Sequence, residues 1–171
     1  MVASDFGITA HLPYLKQLIR SYNTHESRVK RIHLVWQVQN IEIATGIQPI
    51  LNKALDEDRL NDGYNLNVSI YHTSLNKNSL LFGGRVKMYP SEAPIRDIID
   101  AELKKRCVKK TVVQDIDWHA RGIESGFEKA YEKVGGMVIS STESIRDEAR
   151  KHVASHLTDD VSYFELDYQP S

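Results

Sequence analysis

The chain has 171 residues, with 22 Lys and Arg against 23 Asp and Glu and a formal net charge of −1. That length fits one domain with its own core. A charge so near zero excludes a dedicated nucleic-acid binder, which needs a basic surplus to neutralise phosphates, and a single cysteine excludes both a disulfide framework and a cysteine-based zinc site. No stretch approaches the roughly 18 consecutive apolar residues of a membrane-spanning helix; the best, Ile32 to Val38, is broken by His33 and Gln37. Met1-Val2-Ala3 lacks the basic start of a secretory leader, and Asp5 follows at once. The expectation is a chain that is soluble as written.

In chain order, Met1 to Ala3 is a very short first strand. Ile8, Leu12, Leu15, Leu18 and Ile19 recur at three- and four-residue steps and predict a helix over Ile8 to Tyr22. Pro13 belongs in a first turn, where its missing N–H has no partner to lose, so the helix proper is expected to begin near Ala10 to Leu12. Lys30 to Gln39 is rich in β-branched and aromatic residues and predicts a strand. Ile41 to Leu55 predicts a second helix, and Asn65 to His72 alternates as a strand does. Arg85 to Tyr89 is a short extended piece. Ala93 to Lys105 predicts a third helix and Met137 to Ser141 a short buried strand. Thr142 to Leu157 predicts a fourth helix, with Thr142 as its N-cap and Glu143 at its positive end. Val161 to Tyr168 predicts the last strand. Cys107 to Gly136 lacks periodicity and reads as an irregular insert at about 107–135, with a short amphipathic helix over Glu124 to Val134.

Strand and helix alternate, which implies an α/β architecture: a parallel sheet of about five strands, helices on both faces, the first strand truncated. Ligands of such sheets bind at the carboxyl ends of the strands, beside the first strand. That place is the turn Ser4-Asp5-Phe6-Gly7-Ile8-Thr9. Two readings stand there. The turn is a plain βα connection with a tight glycine, or it holds a phosphate, with Gly7 permitting close approach, Thr9 donating a hydroxyl and Asp5 opposing the anion.

Ser4 to Ala10 resembles the G-G-x-G-I-[TA]-P turn of the nicotinamide-binding domain in the ferredoxin-NADP reductase superfamily, and more narrowly its fungal ferric reductase and NADPH oxidase branch. Leu12 to Ile19 resembles that branch's first helix, and Arg31 to Asn40 is similar to its R-x-[VI]-x-L-V-W-x-x-R-[DN] strand. Tyr89 to Ile99 falls at a G-R-P stretch, Val138 to Thr142 at a strand ending in C-G-P, and Val161 to Tyr168 at a C-terminal strand closed by an aromatic.

The resemblance implies a Rossmann-like fold and one nicotinamide-dinucleotide-binding domain over residues 1–171. It implies NADPH or NADH as cofactor, with FAD in a separate flavin-binding domain or flavoprotein that this chain would meet only at an interface. The parent protein would be an integral membrane protein, with this part on the cytoplasmic face and in contact with the membrane only through a missing transmembrane part. The chain would deliver hydride to the flavin for ferric iron reduction; the alternative is a non-catalytic, degenerate interaction domain.

By residue, the resemblance gives Ser4, Gly7, Ile8 and Thr9 to the pyrophosphate turn, Gln39 and Asn40 to the adenosine ribose, Ser140 and Ser141 to the nicotinamide, and Tyr168 to the flavin face. Ser4 and Asp5 replace the pattern's first two glycines, Gln39 its Arg, Ala93 its second-place Arg, and Ser140-Ser141 its Cys-Gly.

The remaining chemistry-bearing residues read as structure. Trp36 is expected in the core. His152 and His156, four apart on a helix, lack a third ligand at motif spacing, so no metal site is expected. Cys107 between Lys104-Lys105-Arg106 and Lys109-Lys110 reads as a surface thiol on a solvated helix end, with anionic lipid headgroups as the alternative contact.

Overall fold

The computed structural model describes residues 1–26, 29, 31–58, 65–73, 82, 84–107, 135–154 and 161–166. The first strand, β1 (Val2–Ser4), runs through one 3-10 turn, Asp5–Gly7, straight into helix α1 (Ile8–Asn23). There follow β2 (Ile32–Gln37), α2 (Ile41–Glu57), β3 (Leu66–Tyr71), β4 (Val86–Tyr89), α3 (Ile95–Cys107), β5 (Gly135–Ser140), α4 (Glu143–Ala154) and β6 (Val161–Glu165). All strand pairings are parallel, in the order β4-β3-β2-β1-β5-β6.

Among the described residues the sheet therefore has six strands, one more than the pattern counts. The short piece before Tyr89 is a full member, paired from Val68↔Val86 to Tyr71↔Tyr89. At four residues, with the exposed Lys87 inside it, β4 is an edge strand whose alternation is too brief to read. The three residues of β1 are central. They pair with β2 from Val2↔Val35 to Ser4↔Gln37, and with β5 at Val2↔Ile139 and Ala3↔Ser140.

Both faces are covered, which is why β2 reads as a nearly continuous apolar run rather than an alternating one. On one face Ala3, Leu34, Trp36, Val68 and Ile70 pack with Ile8, Leu12, Leu15 and Ile19 of α1 and Ala44, Leu51 and Leu55 of α2. On the other, Val2, Val35, Tyr71 and Ile139 pack with Ile95 and Ile99 of α3 and Ala149 and Val153 of α4. Trp36 is completely buried, as expected of a core residue. His11 ties α1 to the central strand, its Nε2 lying 3.0 Å from the carbonyl of Val2.

Three of the boundary differences from the sequence expectation have a clear physical reading. Helix α1 begins at Ile8, not near Ala10, and Pro13 lies inside it. The 3-10 turn already sets the chain winding, so the helix does not wait for the proline. The bond forfeited is the one Thr9's carbonyl would accept; Pro13 is exposed, where water can serve that carbonyl, and buried Leu12, Leu15, Leu18 and Ile19 hold the helix together across it. Strand β5 starts at Gly135, so Gly135 and Gly136 belong to the sheet, and it stops at Ser140. Cys107 closes α3 rather than opening an insert. Residues 108–134, with the helix expected over Glu124 to Val134, lie outside the described residues.

Candidate functional site

The chain leaves β1 through α1 toward β2 on one side, while β4 crosses back through α3 to β5 on the other. The strand order thus reverses between β1 and β5, and their carboxyl ends frame the crevice where open α/β sheets bind ligands. Ser4 ends β1, Ser140 ends β5, and the Asp5–Gly7 turn sits over them.

Asp5 adopts φ 42, a left-handed conformation that favours glycine and that Asp tolerates better than most residues. Three contacts hold it. The Trp36 indole Nε1 donates to its carbonyl at 3.0 Å, the Ile8 amide bonds back to the carbonyls of Asp5 and Phe6, and the Gln39 amide donates to its Oδ1 at 2.7 Å. The carboxylate is thereby drawn off the mouth of α1 and onto the end of β2. Thr9 Oγ1 donates to the Phe6 carbonyl at 2.8 Å. Ile8 is wholly buried, its side chain in the core and its amide bonded back into the turn. Phe6 is 56% exposed at the tip of the turn.

Gly7 is buried against β5: a methyl group there would overlap the carbonyl oxygen of Ser140 and lie 2.9 Å from its carbon. Glycine is needed for this close approach of helix to strand. Ser4, buried, accepts at Oγ from the Thr142 amide at 2.8 Å, fastening the end of β1 to the start of α4. Thr142 stands immediately before α4, at the expected N-cap position, and its carbonyl accepts from the Arg146 amide at 3.0 Å. Ser140 is 2% exposed, while Ser141 is half-buried at the rim.

Gln39 and Asn40 lie exposed just past β2, and Asn40 Oδ1 accepts from the Glu42 amide at 2.9 Å, capping α2. The turn and the end of β2 are thus joined through Asp5 and Gln39, and Ser4, just before the turn, is joined to Thr142, the neighbour of Ser141. Tyr168 lies outside the described residues. Arg146 escaped the sequence reading. It reaches back from α4 to donate through Nη2 to the Ser141 carbonyl at 3.2 Å, bringing a guanidinium to the same edge. The signal was a lone cation one turn into the helix after β5. His152 Nε2 lies 2.6 Å from Asp100 Oδ1, a pairing of α4 with α3, and no metal-ligating group of three occurs among the described residues. Nor is any described helix long and apolar enough to cross a membrane.

Residues 1–156 match the model of the ferric reductase NAD binding domain. The chain belongs to this family. No curated protein matches it. A ferric reductase NAD binding domain is an NAD(P)H-binding part of an oxidoreductase, and the turn can be tested against that ligand. Two of the pattern's glycines are gone, yet the conformation they serve persists: Asp5 keeps a glycine's φ, and Gly7 keeps the close packing that seats α1 on β5. The one acidic group of the turn is turned aside by Gln39. The residues present fit a dinucleotide.

Proposed function

We propose that this chain is the NAD(P)H-binding module of a ferric reductase-like oxidoreductase and delivers hydride to a flavin held by a separate domain. The observation that carries the reading is the placement of the glycine-type turn, over the reversal between β1 and β5, in a chain of this family. The first amides of a helical segment have no partner within it and carry the positive end of its dipole, so the amides of the turn suit the diphosphate. Gly7 lets α1 seat deeply enough to present them. Gln39 and Asn40 border the adenosine side, and Ser141, with the Arg146 guanidinium behind it, borders the nicotinamide side. Ser140 is a positioning residue beneath Gly7. Tyr168 would face the flavin.

The nicotinamide supplies a two-electron hydride when bound; the protein's share is to hold the ring and keep water from it. Electron transfer onward to ferric iron belongs to the parent protein, with its flavin domain and membrane part.

A second reading has its own support. Ser4 Oγ joined to the Thr142 amide, and serines in place of Cys-Gly, are what a non-catalytic interaction domain would keep after losing its ligand. Equilibrium titration separates the two. Micromolar binding of NADH or NADPH, with no ferric chelate reduction until a flavoprotein is added, supports the module; no binding at millimolar nucleotide supports the interaction domain.

A further inference from the structure

The Asp5 carboxylate is the strongest unassigned group on the carboxyl edge. It replaces a glycine at a left-handed position, where an acidic side chain carries a conformational cost. Among the described residues no cation pairs with it, and apart from the Gln39 amide on Oδ1 its carboxylate has no partner. Oδ1 lies 2.7 Å from Gln39, two residues beyond β2. Dinucleotide folds commonly present an acidic side chain at the end of the second strand, where it accepts the hydroxyls of the adenosine ribose. Here the residues after β2 are Val38, Gln39 and Asn40, none acidic, and Asn40 spends its side chain capping α2. The acid at that place comes instead from the turn after β1.

Resting on the reading of the chain as a dinucleotide-binding module, we infer that Asp5 is the residue that sets its choice of nucleotide. The carboxylate, held at the end of β2 by the Gln39 amide, accepts the 2′- and 3′-hydroxyls of the adenosine ribose through its free oxygen and repels a 2′-phosphate. The chain is thus selective for NADH over NADPH. The chemistry is asymmetric. A ribose diol donates to a carboxylate in charge-assisted bonds, whereas a phosphate monoester brings near-double negative charge to an uncompensated anion. Gln39, where a cation would be needed to meet that phosphate, offers none.

The test is equilibrium binding of NADH and of NADPH to the whole chain, followed by nucleotide fluorescence, for the natural sequence, Asp5→Asn and Asp5→Gly. Asp5→Asn keeps the acceptor for Gln39 and the tolerance of left-handed backbone while removing the charge. Asp5→Gly removes the side chain and suits the backbone, so at least one variant folds. The expected result is binding of NADH about tenfold or more tighter than NADPH in the natural chain, with the ratio falling toward unity in both variants, mainly through a gain for NADPH in Asp5→Asn. Equal affinities in the natural chain, or a preference for NADH that both variants retain, would overturn the assignment to Asp5 while leaving the module intact. Binding of neither nucleotide overturns the module itself and the assignment with it.

Discussion

Gly7 and the carbonyl of Ser140 are packed so closely that no side chain can stand between them. The obstacle is backbone on a central strand, which has no flexible end to swing away. A Gly7→Ala substitution must therefore push α1 off β5 or bend the turn, at a cost of about 3 kcal/mol, the upper range for overpacking. Urea denaturation should show a midpoint lowered accordingly, and nucleotide affinity should fall with it because the turn amides move with the helix. An unchanged midpoint would show that the close approach is not as described.

The backbone at Asp5 allows strain to be weighed apart from hydrogen bonding. Asp5→Ala and Asp5→Gly both lose the bond to the Gln39 amide, but only glycine relieves the left-handed conformation. Asp5→Gly should be the more stable of the two by about 1 kcal/mol. Equal stabilities would mean that the turn relaxes once its carboxylate is gone.

His11 makes the fold sensitive to acid. Burial holds its imidazole at about 3, far below its ordinary 6.5. The Val2 carbonyl can only accept, so Nε2 carries the proton, and Nδ1 is buried with no partner among the described residues. A depressed histidine pKa means that the unfolded chain takes up a proton which the folded chain refuses. The stabilising contribution is whole above pH 6.5 and drains away as pH falls toward 3, at up to about 1.4 kcal/mol per pH unit. Wild type should lose stability across this window more steeply than His11→Gln, whose amide can still donate to Val2. Parallel pH profiles for the two proteins would refute the assignment.

Asp58, at the end of α2, is almost fully buried and accepts from both the Leu66 amide at 2.8 Å and the Arg85 guanidinium at 2.9 Å. Arg85 also donates to the carbonyl of Leu55. One carboxylate thus ties α2 to the first residue of β3 and to the approach to edge strand β4. Asp58→Ala strands a half-buried guanidinium and an amide and should cost about 3 kcal/mol; Asp58→Asn, which keeps an acceptor, should cost about half as much. Equal losses for both variants would show that packing rather than pairing holds this corner.

The sequence legibly carried what periodicity and local chemistry encode. The helices showed through the spacing of Ile8, Leu12 and Leu15, or of Ile95 and Ile99, because a buried stripe must recur with the helical turn. Trp36 was legible as core, and the order of elements led to a sheet with both faces covered. What escaped was set by distant partners. Nothing near Asp5 reveals that its carboxylate is drawn to Gln39, 34 residues away, so the charge read only as an obstacle to phosphate. Ser4 read as a lost glycine, and its bond to Thr142 spans 138 residues. The resemblance placed Asn40 near the adenosine ribose; that it also caps α2, accepting from the Glu42 amide, was readable from its place just before Ile41 and Glu42. Pro13 misled because a proline rule for helix interiors competes with a turn that had already started the winding.

On the proposed reading a nicotinamide dinucleotide lies across the carboxyl ends of β1, β2 and β5. The most direct measurement is amide chemical-shift mapping of the isotopically labelled chain during titration with NADH. The largest shifts should fall at Asp5, Phe6 and Gly7, at Gln39 and Asn40, and at Ser141 and Thr142, leaving the amino ends of the strands, Ile32 and Leu66 among them, unmoved. Shifts clustered at that opposite edge, or none at millimolar NADH, would contradict it.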